Sequence, residues 1–387
     1  MGMLNRLAER FGLERRSAGM PFAPTGFTAS GHHVNARAAE NLSAVLACVN
    51  AVASVLASLP VYVYKTLDNG REEDKRHNVA KLLRSPNQWQ SWPDWLEFTI
   101  AQTLLRGNSV SIINYDNAGR VTSLTPVPWE NVSLTILPSG RVAYDVVRVQ
   151  GAFGGTGEMR RYLDTEIFHL KDRSDDGILG RSRLSRAAEV LGNALALQDY
   201  SGQMWKNAAV PSGVLSTEGK LGAEVFERLK SAFENRFTGT KNAGRVMILE
   251  NGMKWNTISM SPEDAEVLAS RRFSVEEICR LFQVPPPIIQ DLSHGTFTNS
   301  REAGRWFAQF SLSPWARKIE AEFSRSVFSG ETRKSHHIEI DLSGLTRGDT
   351  EARWASHKIA VDSGILDPDE VRELEGFNPR KKDAVNV

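Results

Sequence analysis

The chain has 387 residues, enough for two or three packed units at ~150 residues each. An apolar fraction of 41% with 24% charged residues excludes wholesale disorder. The balance of 47 Lys+Arg against 46 Asp+Glu argues against a protein built to coat nucleic acid, which carries a net basic excess.

From Met1 to Arg16, Leu4, Leu7 and Phe11 share one helical face among Arg6, Arg10, Arg15 and Arg16. This start lacks a long apolar run and a cleavage site, so it is not a secretory signal. Ser17–Gly31 is rich in Gly, Pro, Ser and Thr, and residues 1–39 are expected to form a loosely held arm. No charge stands between Glu40 and Lys65. Pro60 interrupts that stretch, and Leu42, Val45, Val49, Val52, Leu56 and Leu59 recur at 3–4 spacing. That pattern predicts one face of a buried helix rather than a membrane span.

Val61-Tyr62-Val63-Tyr64 and the turn at Asp68-Asn69-Gly70 predict a strand and hairpin. Short and long helices are predicted over His77–Arg84 and Trp92–Arg106, the second with Pro93 near its start and Gly107 after its end. Ser109–Asn114, Val132–Ile136 and Val142–Val149 predict antiparallel strands. A long helical segment over 183–207 stops at Pro211, and a βαββ pattern begins at Gly213-Val214-Leu215. A second long helix runs over Pro262–Gln283 until Val284-Pro285-Pro286-Pro287 removes three donors in succession. A polar loop over Gln290–Ser300 leads to a long helix, Arg301–Phe328, in which Pro314 predicts a kink. At the end, Asp349 and Gly364 bracket one helix, and Asp367-Pro368-Asp369-Glu370 opens another.

Enzymatic chemistry finds little support. Gly239 to Val246 has the spacing of a phosphate loop, but Arg245-Val246 stands where lysine and a hydroxyl residue are needed. Its outflow into a strand also denies the phosphate a helix N-terminus. His336-His337 precedes the strand Ile338-Glu339-Ile340 and reads as solvated histidine. Asp172, Asp175 and Asp176 with Gly177 lack EF-hand spacing and read as a turn capped by aspartates. Cys48 and Cys279 exclude a disulfide framework and a multi-cysteine zinc site, and fit a reducing cytoplasm. No catalytic residue, metal or cofactor is expected.

Several short stretches, in order across 40–380, resemble the portal protein family of tailed bacteriophages, in its Hong-Kong-ninety-seven-like branch. They include Ala57-Ser58-Leu59-Pro60, Gly107-Asn108, His169, Gly180-Arg181-Ser182, Pro211-Ser212-Gly213 and Val284-Pro285-Pro286. Pro314-Trp315 and Glu375-Gly376-Phe377-Asn378-Pro379 complete the series. After Gly107-Asn108, Ser109-Val110 stands where the branch commonly has an aromatic residue.

The resemblance implies an α+β portal-type fold. Its parts would be a wing over 40–183, stem helices over 184–207 and 262–287, and a clip over 208–261. A tunnel loop would follow over 288–300, then a kinked wing helix and strand over 301–347, a helical crown over 348–376 and a tail over 377–387. It implies a homo-oligomeric ring, usually of twelve subunits, at one capsid vertex of the virion. Double-stranded DNA would pass through it without sequence specificity. Its partners would be the terminase large subunit, the head–tail adaptor, the major capsid protein and scaffold, with assembly in the host cytoplasm and no membrane contact. A head–tail adaptor is the alternative function.

Three groups of residues are the candidate sites. The tunnel loop carries Leu292, Ser293, His294, Gly295, Thr296, Phe297, Thr298 and Asn299, expected to project into the channel and touch the DNA backbone. The second stem helix carries Glu263, Asp264, Glu266, Glu276 and Glu277 against Arg271, Arg272 and Arg280. Lining of the channel by Glu263, Glu266, Glu276 and Glu277 would let DNA slide, and an ordinary solvated helix face has the same pattern. The clip offers Glu218, Lys220, Thr240, Lys241 and Asn242 as a polar docking surface for terminase and adaptor.

Overall fold

The computed structural model describes residues 28–147, 157–207, 213–216, 222, 227, 254–257, 262–292, 297–330, 332–346, 350–375, 377–378 and 380. Its centre is helical. After the short α1 (Ala36–Glu40), capped by the Asn35 side chain, helix α2 (Ser43–Ser58) carries the apolar stripe read from the sequence. Leu42, Val45, Val49, Val52, Leu56 and Leu59 are all buried, so desolvation of this face fixes the helix in the core.

A small antiparallel sheet orders β2 (Gly70–Glu73), β1 (Val61–Leu67) and β11 (His336–Ile340) side by side. Val63 pairs with Ile338, a partner far along the chain that no local pattern announces. This pairing corrects the solvated reading of His336 and His337. His336 begins the strand and stacks on His77 at 4.8 Å between ring centroids, with Asp74 at 3.5 Å. His337 lies against Tyr64 at 5.9 Å.

Helices α3 (Asn78–Leu82) and α4 (Trp92–Arg106) follow. A capping box between Ser91 and Asp94, with Pro93 in the first turn, opens α4. Trp95, Leu96, Ile100 and Leu104 of α4 are fully buried. Two further three-stranded antiparallel sheets come next. One orders β4 (Val121–Val127), β3 (Asn108–Tyr115) and β8 (Ile167–Lys171); the other orders β5 (Val132–Ile136), β6 (Val142–Val147) and β7 (Met159–Leu163). Trp92, Trp95, Phe168 and Phe323 interlock with ring centroids 5.2–6.1 Å apart, tying the helices to β8.

The helix predicted over 183–207 is broken near its start. Ser182 caps α5 (Arg183–Arg186), Ala187 leaves helical geometry at φ −118° and ψ 34°, and α6 (Ala188–Asn207) begins after it. Gly192 on α6 sits against Thr28, where a Cβ would come within 2.4 Å of the Thr28 hydroxyl oxygen. Strands β9 (Gly213–Ser216) and β10 (Lys254–Thr257) pair antiparallel, with Trp255 opposite Leu215. Apart from Gly222 and Glu227, the residues between β9 and β10, which carry the middle of the predicted βαββ pattern, lie outside the described residues.

Helix α7 (Pro262–Phe282) packs its end on α2, bringing the buried Cys279 and Cys48 together with a hydrogen bond between their thiols. Their sequence separation concealed this contact. Helix α8 (Phe297–Trp306) then passes through a π-helical turn, Phe307–Leu312, into α9 (Ser313–Ser326). The irregular turn therefore precedes Pro314 instead of centring on it. Pro314 cannot donate to the carbonyl one turn back, and the wider turn accommodates the missing bond. Helices α10 (Thr332–Ser335) and α11 (Ser343–Thr346) flank β11. Helices α12 (Thr350–Asp362) and α13 (Pro368–Leu374) close the chain, the second opened by a capping box of Asp367 and Glu370. Among the described residues, no helix is long and apolar enough to cross a membrane.

Candidate functional site

The motif residues meet where α4, β8, α5, α7 and α9 converge. Gly107 ends α4 in the left-handed region at φ +83°, its N–H donating to the Thr103 carbonyl at 2.8 Å. Its own carbonyl accepts from the Asp172 N–H at 2.8 Å. Across the contact stands Gly180, where a Cβ would lie 2.0 Å from the Gly107 carbonyl oxygen. Two backbones thus touch at a distance only glycine permits.

Asn108 closes this contact with its side chain. The Gly180 N–H donates to Asn108 Oδ1 at 2.8 Å, and Asn108 Nδ2 donates to the Gly180 carbonyl at 2.8 Å. Because Oδ1 accepts, His169 Nε2 at 3.0 Å must be the protonated nitrogen. Its Nδ1 then accepts from the Tyr144 hydroxyl at 3.0 Å. Burial, with Lys171 and Arg325 nearby, lowers the His169 pKa to about 3, so the ring is neutral. Burial also pushes the Tyr144 phenol up to about 12. The backbone N–H of His169 donates to Glu322 at 2.8 Å, and Arg325, paired with Glu322 within α9, donates to the Ile167 carbonyl at 3.2 Å, so both side chains hold α9 on β8.

A buried ion pair joins Asp172 to Arg183 at 2.9 Å. Arg183 also donates to the Leu281 carbonyl at 3.2 Å, which fastens the end of α7 to the start of α5. Asp175 pairs with Arg181 and Arg186, and Asp176 accepts from the Ile178 and Leu179 N–H groups, so these carboxylates organise the turn. Substituting Asp172 by Asn is expected to cost about 3 kcal/mol, because Arg183 would be left buried without its counter-charge. Urea unfolding measures this; a loss below ~1 kcal/mol would mean solvent already screens the pair.

Beyond α7 the chain turns sharply. Gln283 adopts φ +60°, and its carbonyl accepts from the Ser311 hydroxyl in the π-helical turn. A 3-10 turn over Pro286–Ile289 and a second left-handed residue, Gln290 at φ +66°, follow. Leu292 is exposed. Ser293, His294, Gly295 and Thr296 lie outside the described residues. Phe297, Thr298 and Asn299 belong to the first turn of α8 and not to a loop, since no proline or glycine stops the helix from extending back past Arg301. The connection is therefore shorter than the predicted 288–300.

On α7, Glu276 and Glu277 are half-buried, and Glu276 pairs with Arg280 at 2.8 Å. The side chains of Glu263 and Glu266, and the residues Glu218, Lys220, Thr240, Lys241 and Asn242, lie outside the described set. The His169–Asn108–Gly180 network was not legible as chemistry. Its members are 61 and 72 residues apart, and only their match to recurrent family text marked them.

This framework is neutral at its histidine and cross-tied between helices and sheets by hydrogen bonds and a buried ion pair. It joins two long helices, α6 and α7, to an α+β body. The family model described as phage portal protein matches residues 43–376, and the chain belongs to the phage portal protein family. It is 31% identical over 346 residues to the portal protein of Enterobacteria phage HK97, covering 87% of this chain and 79% of that one. It is 29% identical over 398 residues to the probable portal protein of Streptomyces phage phiC31, covering 95% and 82%. Among solved structures, a chain from the virion of a native gene transfer agent particle matches at TM-score 0.68 and 26% identity, over 97% of this chain and 99% of that one. A Hong-Kong-ninety-seven-family portal protein from Corynebacterium diphtheriae shares the fold at TM-score 0.51 and 15% identity, over 82% and 99%. The family is a structural one, and portal protein, in preference to head–tail adaptor, is the function of this chain.

Proposed function

We propose that copies of this chain close into a ring, twelve in number, at one capsid vertex, and that genomic DNA enters and leaves through its axial channel. The observation that carries this reading is the family match over residues 43–376. A related chain, at 24% identity and TM-score 0.62, comes from the neck of a native gene transfer agent particle computed with C12 symmetry.

In this reading residues 184–207 and 262–287, which carry α6 and α7, are the stem, and residues 208–261, with β9 and β10, form the clip that meets the terminase large subunit and later the head–tail adaptor. Residues 288–300 carry the tunnel loop, with the short connection between Gln290 and α8 facing DNA. Capsid protein and scaffold surround the wing during assembly in the host cytoplasm. A channel must confine DNA without gripping it, because each neutralised phosphate adds salt-dependent affinity that slows sliding. The near-zero net charge of the chain supports this. No catalytic step is assigned to any residue.

Deleting residues 294–298 is expected to leave ring assembly intact while lowering the yield of DNA-filled particles at least about tenfold, as loss of a positioned contact does. Packaging assays with nuclease-protected DNA measure this. Filled particles at the normal yield would remove the loop from the DNA path.

A further inference from the structure

A cavity of about 330 Å3 opens at the same junction, between α5, the end of α7 and the turn into α9. Its walls are one-sided in charge: Arg173, Arg183, Arg186, Arg280 and Lys318 line it, with Asp172 as the one carboxylate among the described residues that do. That carboxylate is committed to Arg183 at 2.9 Å and to the Arg173 N–H at 2.7 Å.

Three of these cations have a carboxylate partner, Arg183 in Asp172, Arg280 in Glu276 and Arg186 in Asp175, and Arg186 also donates to the Arg173 carbonyl at 2.9 Å. Lys318 donates to the Lys171 carbonyl at 3.1 Å and stands 4.9 Å from the centre of the Trp315 ring, but makes no ion pair among the described residues. Burial lowers its pKa, Arg183 and Lys171 add to the shift, and Asp172 opposes it. Arg186 reaches Asp175 through Nη2 at 2.6 Å, yet its Nε is buried without an acceptor among the described residues. Arg183 also lies 5.6 Å from the centre of the Trp315 ring, so one indole is shared by two cations. Arg173, Arg280 and Lys318 are exposed, so the cluster faces solvent, where like charges close together still repel and an anion between them relieves the repulsion. A tetrahedral oxyanion offers acceptors on all sides, which suits converging guanidinium forks and an ammonium better than a flat carboxylate does.

We propose that this cavity is a binding site for a phosphate-class oxyanion, with Arg186 and Lys318 as its principal ligands. Bound there, the anion ties α5, α7 and α9 together beside the Gln283 turn. This assignment stands on the cavity's own chemistry and does not depend on the ring or channel reading. The shared chemistry admits two sources, a free phosphate ion or a phosphodiester of duplex DNA.

The test uses the full chain. Thermal unfolding is compared in sodium phosphate, sodium acetate and sodium chloride at matched pH and ionic strength, alongside the 31P line width of inorganic phosphate. Phosphate is expected to raise the midpoint by roughly 2–4 °C over chloride, acetate by much less, and the protein is expected to broaden the phosphorus line. R186Q and K318M should each lose that increment. The line width reports binding to the unmutated chain even if a variant folds poorly. Equal midpoints in phosphate and chloride with an unbroadened line, an equal rise in acetate, or an undiminished rise in both folded variants would overturn the assignment. A short duplex DNA that restores the narrow phosphate line identifies the phosphodiester as an occupant of the site. A line that stays broad identifies free oxyanion as the ligand.

Discussion

Gly180→Ala is expected to cost at least about 4 kcal/mol, the range reached when a substitution forces packed backbone apart. The added Cβ would lie 2.0 Å from the Gly107 carbonyl oxygen and 2.8 Å from the Asp172 nitrogen. Both atoms belong to main chain that is already hydrogen-bonded, so neither moves without breaking the α4–β3 joint. Gly107→Ala should behave similarly, with a Cβ 2.6 Å from the Gly180 oxygen and a left-handed backbone besides. Gly119→Ala is the control: its φ of +73° is also left-handed, but no atom lies within 4 Å, so about 1 kcal/mol is expected. Urea unfolding of the three variants separates steric contact from backbone strain. A Gly180→Ala loss no larger than that of Gly119→Ala would contradict the close approach.

The second large effect is acid lability centred on His169. Its pKa is about 3 in the folded chain, against an ordinary value of 6.5. Between those values the unfolded chain binds a proton that the folded one does not, so stability rises with pH and falls as pH is lowered from 6.5. The loss from this one group reaches roughly 4 kcal/mol by pH 3. His169→Gln keeps a donor for Asn108 and an acceptor for Tyr144, and removes the titration. The variant's stability should therefore fall less steeply below pH 6.5, by up to ~1.4 kcal/mol per pH unit. Parallel curves for the two proteins would show that the histidine is not held neutral by its surroundings.

Much of the helical framework was legible because its determinants are local. The stripe from Leu42 to Leu59 is buried residue by residue, and Pro93 and Gly107 mark the ends of α4 as their backbone preferences require. The portal family itself was legible because many weak motifs occur in one order. What could not be read is what distant pairing decides. Strand β1 takes its partner from His336–Ile340, which half-buries two histidines that look solvated in isolation. Cys48 meets Cys279, and Asn108 meets both His169 and Gly180, through contacts that no periodicity encodes. The break at Ala187 and the π-helical turn at Phe307–Leu312 interrupt sequences of ordinary helical pattern. There the tertiary anchors, Arg183 on Asp172 and Ser311 on the Gln283 carbonyl, accompany the departure from local preference.

The candidate site divides along the same line. Of the predicted tunnel loop, Phe297, Thr298 and Asn299 join helix α8, which no local breaker forbids, and Ser293, His294, Gly295 and Thr296 lie outside the described residues. The basic cavity was invisible, because its cations come from four segments that meet only in the fold.

In the proposed function this chain closes into a ring around a channel for DNA. Electron microscopy of the purified protein, with native mass spectrometry to count subunits, tests it most directly. A closed ring of twelve subunits with an axial hole wide enough for duplex DNA is expected; a compact dimer without a pore would overturn the ring.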